Sequence, residues 1–309
     1  MNYIGGGQYD VPLGKIVYTQ FLNDRAGIEA DVTVTRLSET CYLVVTPAAT
    51  RLADQTWMMR HKGAFNVVIT DVTAGEAVLA VMGPNARKLL ERVSPNDFSN
   101  AHNPFGTAQE IELGMGLARA HRVTYVGELG WEVYVSADMA GHAFETIWQA
   151  GQQMEAKLCG MHMMDSCRIE KGFRHFGHDI TCEDHVLEAG LGFAVKTDKA
   201  EFIGRDAVLR KKDVVLDARM LQFKLTDPEP LLYHNEPVLR DGEIVGYLSS
   251  GNYGHHLGGA IGLGYVPCAG ESVAEVLASS YEIDVAGTRV VAEASIKPLY
   301  DPTGARAKA

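Results

Sequence analysis

Glu29 and Asp31 stand two residues apart in the run IEADVTV, Ile28 to Val34, and Tyr18 precedes Asp31 by thirteen positions. In an extended strand side chains alternate with period two, so Ile28, Ala30, Val32 and Val34 turn one way and Glu29, Asp31, Thr33 and Thr35 the other. The apolar row goes inward. The two carboxylates then share a face roughly 7 Å apart, at a rise of about 3.3 Å per residue. A carboxylate so placed can exchange a proton with a bound ligand. The same pattern also describes a half-solvated antiparallel strand that shows its acids to water, and the pattern alone leaves both readings open.

Other chemistry-bearing residues are less ordered. RHFGHDITCEDH brings His175, His178 and His185 together with Asp179, Glu183 and Asp184. The spacing is neither HExxH nor a two-histidine, one-carboxylate pattern on one rigid element, so hydrogen-bonded loop histidines are expected and no metal is assigned. A hydrolase is not indicated, because there is no GxSxG and no Cys-His nucleophile arrangement. Lys196, Lys199, Arg205, Arg210, Lys211 and Lys212 are dense for an acidic chain; they read as a solvated helix face or as a site for an anionic tail. Gly5 to Gly7 lack GxGxxG spacing and a preceding strand, and are expected to form a flexible leader.

These residues need a scaffold, and 309 residues suffice for two or three domains. A formal charge of −11 argues against a nucleic-acid binder. The five cysteines are odd in number and include no CxxC, so a reducing, cytoplasmic setting is expected. Neither a signal peptide nor a membrane span is read, and no membrane partner is expected.

Strands are expected at about Cys41 to Val45, at FNVVITDV, at Val78 to Met82, and on both sides of a GELG turn in HRVTYVGELGWEVYV, with Glu132 and Tyr134 opposite Trp131, Val133 and Val135. A helix after Pro47 should bury Ala49, Leu52, Ala53 and Thr56; the next should bury Ala86, Leu89, Leu90 and Val93. A third, N-capped by Ser136, should bury Ala140, Phe144, Ile147 and Trp148, and a fourth covers Met161 to Lys171 with its methionines in the core. After the charged run Arg210 to Asp213 only strands are expected. The class is therefore α+β, with residues 1–212 forming one α+β region, divided near residue 75, and 213–309 a small antiparallel barrel or sandwich.

YTQFLNDRAGIEADVTV, TYVGELGWEVY, DSCRIEKGFRHFGHDI, LEAGLGFAVKTDKAEFIGRDAVLRK and LSSGNYGHHLG, in that order, resemble the tetrahydrofolate-binding aminomethyltransferase family of the glycine cleavage T-protein. The likeness is greatest to the folate-binding C-terminal portion of bacterial dimethylglycine and sarcosine dehydrogenases, and it runs from Leu13 onward. It implies a three-lobed cloverleaf around a central folate cavity, closed by a C-terminal antiparallel β-barrel. It further implies Asp31 as the catalytic acid, with Tyr18, Thr46, Tyr125 and Glu132 as contacts to tetrahydrofolate, Glu132 accepting paired pterin donors.

The implied activity is one-carbon transfer, aminomethyl or methylene, in glycine, sarcosine or dimethylglycine type metabolism, from a small-molecule donor. The alternative is a non-catalytic folate-binding module serving a flavoprotein dehydrogenase chain. The family's opening strand-helix segment and the dehydrogenases' flavin-binding half are not in this sequence, which implies a first lobe that is incomplete or completed by another chain. Met164 and Thr46 replace a T-protein arginine and asparagine, which stands against a lipoyl-bound donor.

Overall fold

The structure, a computed structural model, describes residues 1–309 except 8 and 215. Strand alternation organises its first lobe. β1 (Ile16–Leu22) and β2 (Ile28–Arg36) pair antiparallel, with Gln20 opposite Asp31, and β3 (Tyr42–Val45) joins the other side of β2. As the pattern requires, Ala30, Val32 and Val34 are at most 2% exposed, and they pack on Tyr9, Phe21 and Ile203. Each of the two valines contributes about 1.5–3 kcal/mol when fully buried. The opposite row, Glu29, Asp31 and Thr33, is half-buried.

The leader is not flexible. Gly5, Gly6 and Gly7 are buried, and Lys199 donates to the carbonyls of Gly5 and Gly7. A Cβ on Gly5 would lie 1.9 Å from the Tyr9 hydroxyl, so close packing is what requires glycine there.

α1 (Arg51–Arg60) buries a different stripe from the one its periodicity first suggests: Asp54 faces inward with Trp57 and Met58, while Leu52 is 74% exposed. Two stripes compete on this helix, and the larger apolar surface of Trp57 and Met58 prevails although it carries a carboxylate inside. FNVVITDV is a second correction. Residues 66–72 pair with no strand, and Phe65, Val67, Val68 and Val72 are exposed. Strand composition alone does not make a ladder, which requires pairing with a neighbouring strand.

The second lobe is a four-stranded sheet in the order β4-β7-β6-β5, from β4 (Glu76–Met82), β5 (Ala108–Leu113), β6 (Gly116–His121) and β7 (Gly130–Ser136). α2 (Ala86–Val93) and α3 (Ala140–Gln152) cover the face that carries Trp131, Val133 and Val135. Ala86, Leu89 and Leu90 are buried as expected, whereas α3 buries Ala143 and leaves Phe144 39% exposed. Ser136 makes no side-chain cap; a short 3-10 turn follows it.

Nor does GELG join two short strands. Pairing of β6 with β7 ends at His121 opposite Glu132, because Arg122 turns inward to donate to Asn100 and to the Asn103 carbonyl. Residues 122–129 form a loop that carries Tyr125.

α4 (Met161–Glu170) follows, with Met161 and Met163 exposed and not in the core. After α5 (Arg205–Lys212) the chain forms a closed antiparallel barrel in the order β10-β11-β8-β13-β12-β9. Its strands are β8 (Ala218–Leu225), β9 (Pro237–Arg240), β10 (Glu243–Gly254), β11 (Gly259–Pro267), β12 (Tyr281–Val285) and β13 (Thr288–Ser295). One short helix interrupts the run of strands: α6 (Val273–Ala278), set by a Ser272/Glu275 capping box. The architecture is α+β, as expected, with two sheet-bearing lobes and a C-terminal barrel.

Candidate functional site

Three parts of the chain converge on Asp31. β1 and β2 supply the floor: Gln20 Nε2 donates to Asp31 Oδ1 over 2.8 Å, and Tyr18 lies on the same face. The loop before β7 supplies Tyr125, whose hydroxyl donates to the Arg174 carbonyl over 3.0 Å. The segment after α4 supplies Phe173, stacked on Tyr125 at 6.1 Å, and Phe193, stacked on Tyr18 at 6.1 Å. Phe193 is 70% exposed, so this aromatic pair presents an open face.

A buried ion pair holds that third segment. Arg168 on α4 donates to Asp179 over 2.6 Å and to Ser250 on β10 over 2.7 Å, while Asp179 accepts from the His175 backbone and from Ser249. One network thus fixes α4, the loop and the barrel together.

Burial pushes the Asp31 carboxyl up to about 6, against hydrogen bonds from Gln20 and Tyr18 and the charge of Arg174; Asp54 adds to the rise. The Tyr18 phenol is raised well above its ordinary value, by burial first and then by Asp31, and so keeps its proton. Tyr125 is pushed up to about 12, mainly by burial. Arg174 is held by the Ala189 and Gly172 carbonyls, through Nε at 3.0 Å and Nη1 at 2.6 Å, and forms no ion pair within 4 Å among the described residues. Its Nη2 lies against Gly190, where a Cβ would approach to 2.7 Å. A side chain there would displace the guanidinium.

The candidate residues do not all meet. Tyr18, Asp31 and Tyr125 lie within electrostatic reach of one another. Thr46 ends β3, one place beyond Val45, the partner of Thr33, and adjoins Asp54. Glu132 projects from the helix-free face of the second-lobe sheet, where it accepts from Tyr134 over 2.7 Å and burial raises its carboxyl. Among the described residues it shares no hydrogen bond or ion pair with Asp31, Tyr18 or Tyr125.

Sequence reasoning missed Gln20, Arg174 and Phe193. All three fall inside motifs it singled out, and cross-strand pairing of β1 with β2 was the signal for Gln20. The basic cluster proves mostly structural: Lys199 is buried, Arg205 holds the Lys199 and Thr197 carbonyls, and Lys211 pairs with Glu188 and Asp217. His175 and His178 lie with ring centroids 4.6 Å apart, and no group of three or more metal-ligating side chains occurs among the described residues.

An acid on a small sheet, aromatic walls from two other segments and a closing six-stranded barrel define an aminomethyltransferase-type architecture. The chain matches the GCVT N-terminal domain over residues 1–199 and the glycine cleavage T-protein C-terminal barrel domain over 219–301, and it belongs to the glycine cleavage T-protein family. It is similar to the 4-methylaminobutanoate oxidase (formaldehyde-forming) of Paenarthrobacter nicotinovorans, 43% identical over 96% of this chain and 36% of the oxidase. It is 34% identical to the aminomethyltransferase of Halothermothrix orenii, over 82% of this chain and 70% of that protein. With the mitochondrial sarcosine dehydrogenase of Mus musculus it shares 30% identity over 96% of this chain and 34% of the enzyme. The chain therefore spans about a third of the length of those two oxidising relatives. The solved aminomethyltransferase T of the Bartonella henselae glycine cleavage system superposes with a TM-score of 0.82 at 24% identity, over 96% of this chain and 79% of that one, a likeness of fold.

Proposed function

We propose that this chain binds tetrahydrofolate and transfers a one-carbon unit to it, aminomethyl or methylene, in metabolism of the glycine, sarcosine or dimethylglycine type. The observation that carries the reading is the half-buried Asp31, drawn up to about 6 beneath the Tyr18 and Tyr125 aromatic walls. Both protonation states of such an acid are accessible near neutral pH, which suits general acid-base work.

The residues fit the cofactor. Phe193 offers an uncovered ring beside Tyr18, and Glu132 keeps one carboxylate oxygen free of any protein donor. Tetrahydrofolate, when bound, supplies the nucleophilic nitrogens that accept the carbon. Tyr18, Thr46, Tyr125 and Glu132 would hold it, the carboxylate taking paired ring and amino donors. Asp31 would move the proton and stabilise developing positive charge beside the reacting nitrogen. Arg174, fixed by backbone carbonyls, limits how far the carboxyl rises. A donor in solution, an N-methylamino acid after oxidation, would enter at the Phe193 side.

A second reading is a folate-binding module serving a flavin-dependent dimethylglycine or sarcosine dehydrogenase. It is favoured by the 30% identity with the mitochondrial sarcosine dehydrogenase over 96% of this chain. Binding is common to both readings and is tested by titration calorimetry with reduced folate. Glu132→Ala should weaken binding by about 1.5–3 kcal/mol, the range for hydrogen bonds to a charged group. No heat at millimolar ligand with the unaltered chain would contradict the proposal.

A further inference from the structure

Gln20 is fully buried on β1, directly opposite Asp31 on β2, and its amide makes one hydrogen bond only. Nε2 donates to Asp31 Oδ1 over 2.8 Å; Oε1, equally buried, accepts from no donor among the described residues. A buried amide oxygen without a donor is costly unless another state of the site uses it. The terminal torsion of glutamine is roughly two-fold, so a half turn places Oε1 where Nε2 stands. That turn breaks no other bond among the described residues. It would match the amide to a protonated Asp31, whose O–H must donate.

We infer that Gln20 is a positioning residue whose amide follows the protonation of Asp31, donating to the carboxylate and turning over to accept from the carboxylic acid. Asp31 then gains or loses its proton with its hydrogen bond to Gln20 kept in either state. The inference rests on Asp31 as the proton-transferring group of the proposed function. The groups facing Asp31 are Tyr18 on β1, Arg174 after α4, Tyr125 before β7 and Asp54 on α1. Glu29, on β2 itself, is occupied by Asn23 at 3.0 Å. The two phenols keep their protons and Arg174 its charge around neutrality. Asp31 is the group expected to change state near pH 6, where its carboxyl lies.

The test is nuclear magnetic resonance on the full chain with labelled aspartate carboxyl carbons and glutamine side-chain amides. The Gln20 amide signals should titrate with the Asp31 carboxyl, at one shared midpoint near 6, and the titration should vanish in Asp31→Asn. In Gln20→Met, of similar length but without the amide, both states of Asp31 lose their partner, so the Asp31 midpoint should move by less than about 1 pH unit, whereas an amide fixed as donor would favour the ionised form alone and its loss would raise the midpoint by about 1–2 units. Gln20 signals that stay flat while Asp31 titrates would overturn the inference. So would an Asp31 midpoint raised by about 1–2 units in Gln20→Met, the mark of an amide that serves the carboxylate alone. Neither readout needs turnover or bound folate, so a failure of the proposed function registers separately, in the calorimetry.

Discussion

The barrel and the first lobe handle buried polarity differently. In the barrel, Leu221, Phe223, Leu225, Val238, Leu248 and Ile283 form a closed apolar core, with Phe223 and Tyr281 in edge contact at 5.5 Å. The first lobe is a three-stranded sheet, and inside it Tyr9, Gln20, Thr35, Asp54 and Trp57 each bury a polar atom without a partner, against three in the larger barrel region, on Arg219, Glu236 and Tyr265. Unsatisfied groups cost about 1–3 kcal/mol each. The barrel core is thus built for stability, and the first lobe keeps two of its costly groups, Gln20 and Asp54, where they act on the proton equilibrium of Asp31. Sites of chemistry are where such costs are retained.

The largest effect that separates the two regions should come from the barrel. Phe223→Ala removes a fully buried ring and should cost about 3–5 kcal/mol in denaturant unfolding. A loss under about 1 kcal/mol would remove the barrel core from its stabilising role.

Asp54 should behave in the opposite way. Burial raises its carboxyl, so the folded chain binds that proton more tightly than the unfolded chain, and stability falls as pH climbs out of the ordinary carboxylate range. Thr50 donates to Asp54 Oδ2 over 2.6 Å, a bond that asparagine can still accept. Asp54→Asn should therefore gain on the order of 1 kcal/mol at pH 8 and nothing near pH 4. An equal loss at both pH values would mean that the carboxylate is paired in the folded chain, and the contrast with the barrel would fail.

The strands of both regions were legible because period-two alternation separates their faces; β2 shows it most plainly, and with it the inward row and the place of Asp31. Local pattern did not reveal what needs a neighbour. FNVVITDV has strand composition but pairs with no strand. α1 carries two candidate stripes, and only docking on β2 chooses Trp57 and Met58. Gln20 and Arg174 are polar residues in interior positions, which composition assigns to the surface; their roles follow from the register of β1 against β2 and from the Gly172 and Ala189 carbonyls. The family likeness supplied Tyr125, since a loop tyrosine has no periodicity to betray it.

The central claim is that Asp31 performs proton transfer on a folate held at this site. The decisive measurement compares the parent chain with Asp31→Asn, both for tetrahydrofolate affinity and for the rate of one-carbon transfer to it. The donor is an N-methylamino acid oxidised in the assay by a flavin dehydrogenase. The substitution keeps the shape of the side chain and a bond to Gln20, so affinity should be retained while the transfer rate falls by about 10² to 10⁴. The parent rate should rise with pH through a midpoint near 6 if the carboxylate acts as the base. Equal affinity with an equal rate would make Asp31 an ordinary acid of a half-solvated strand, and would leave the chain a binding module.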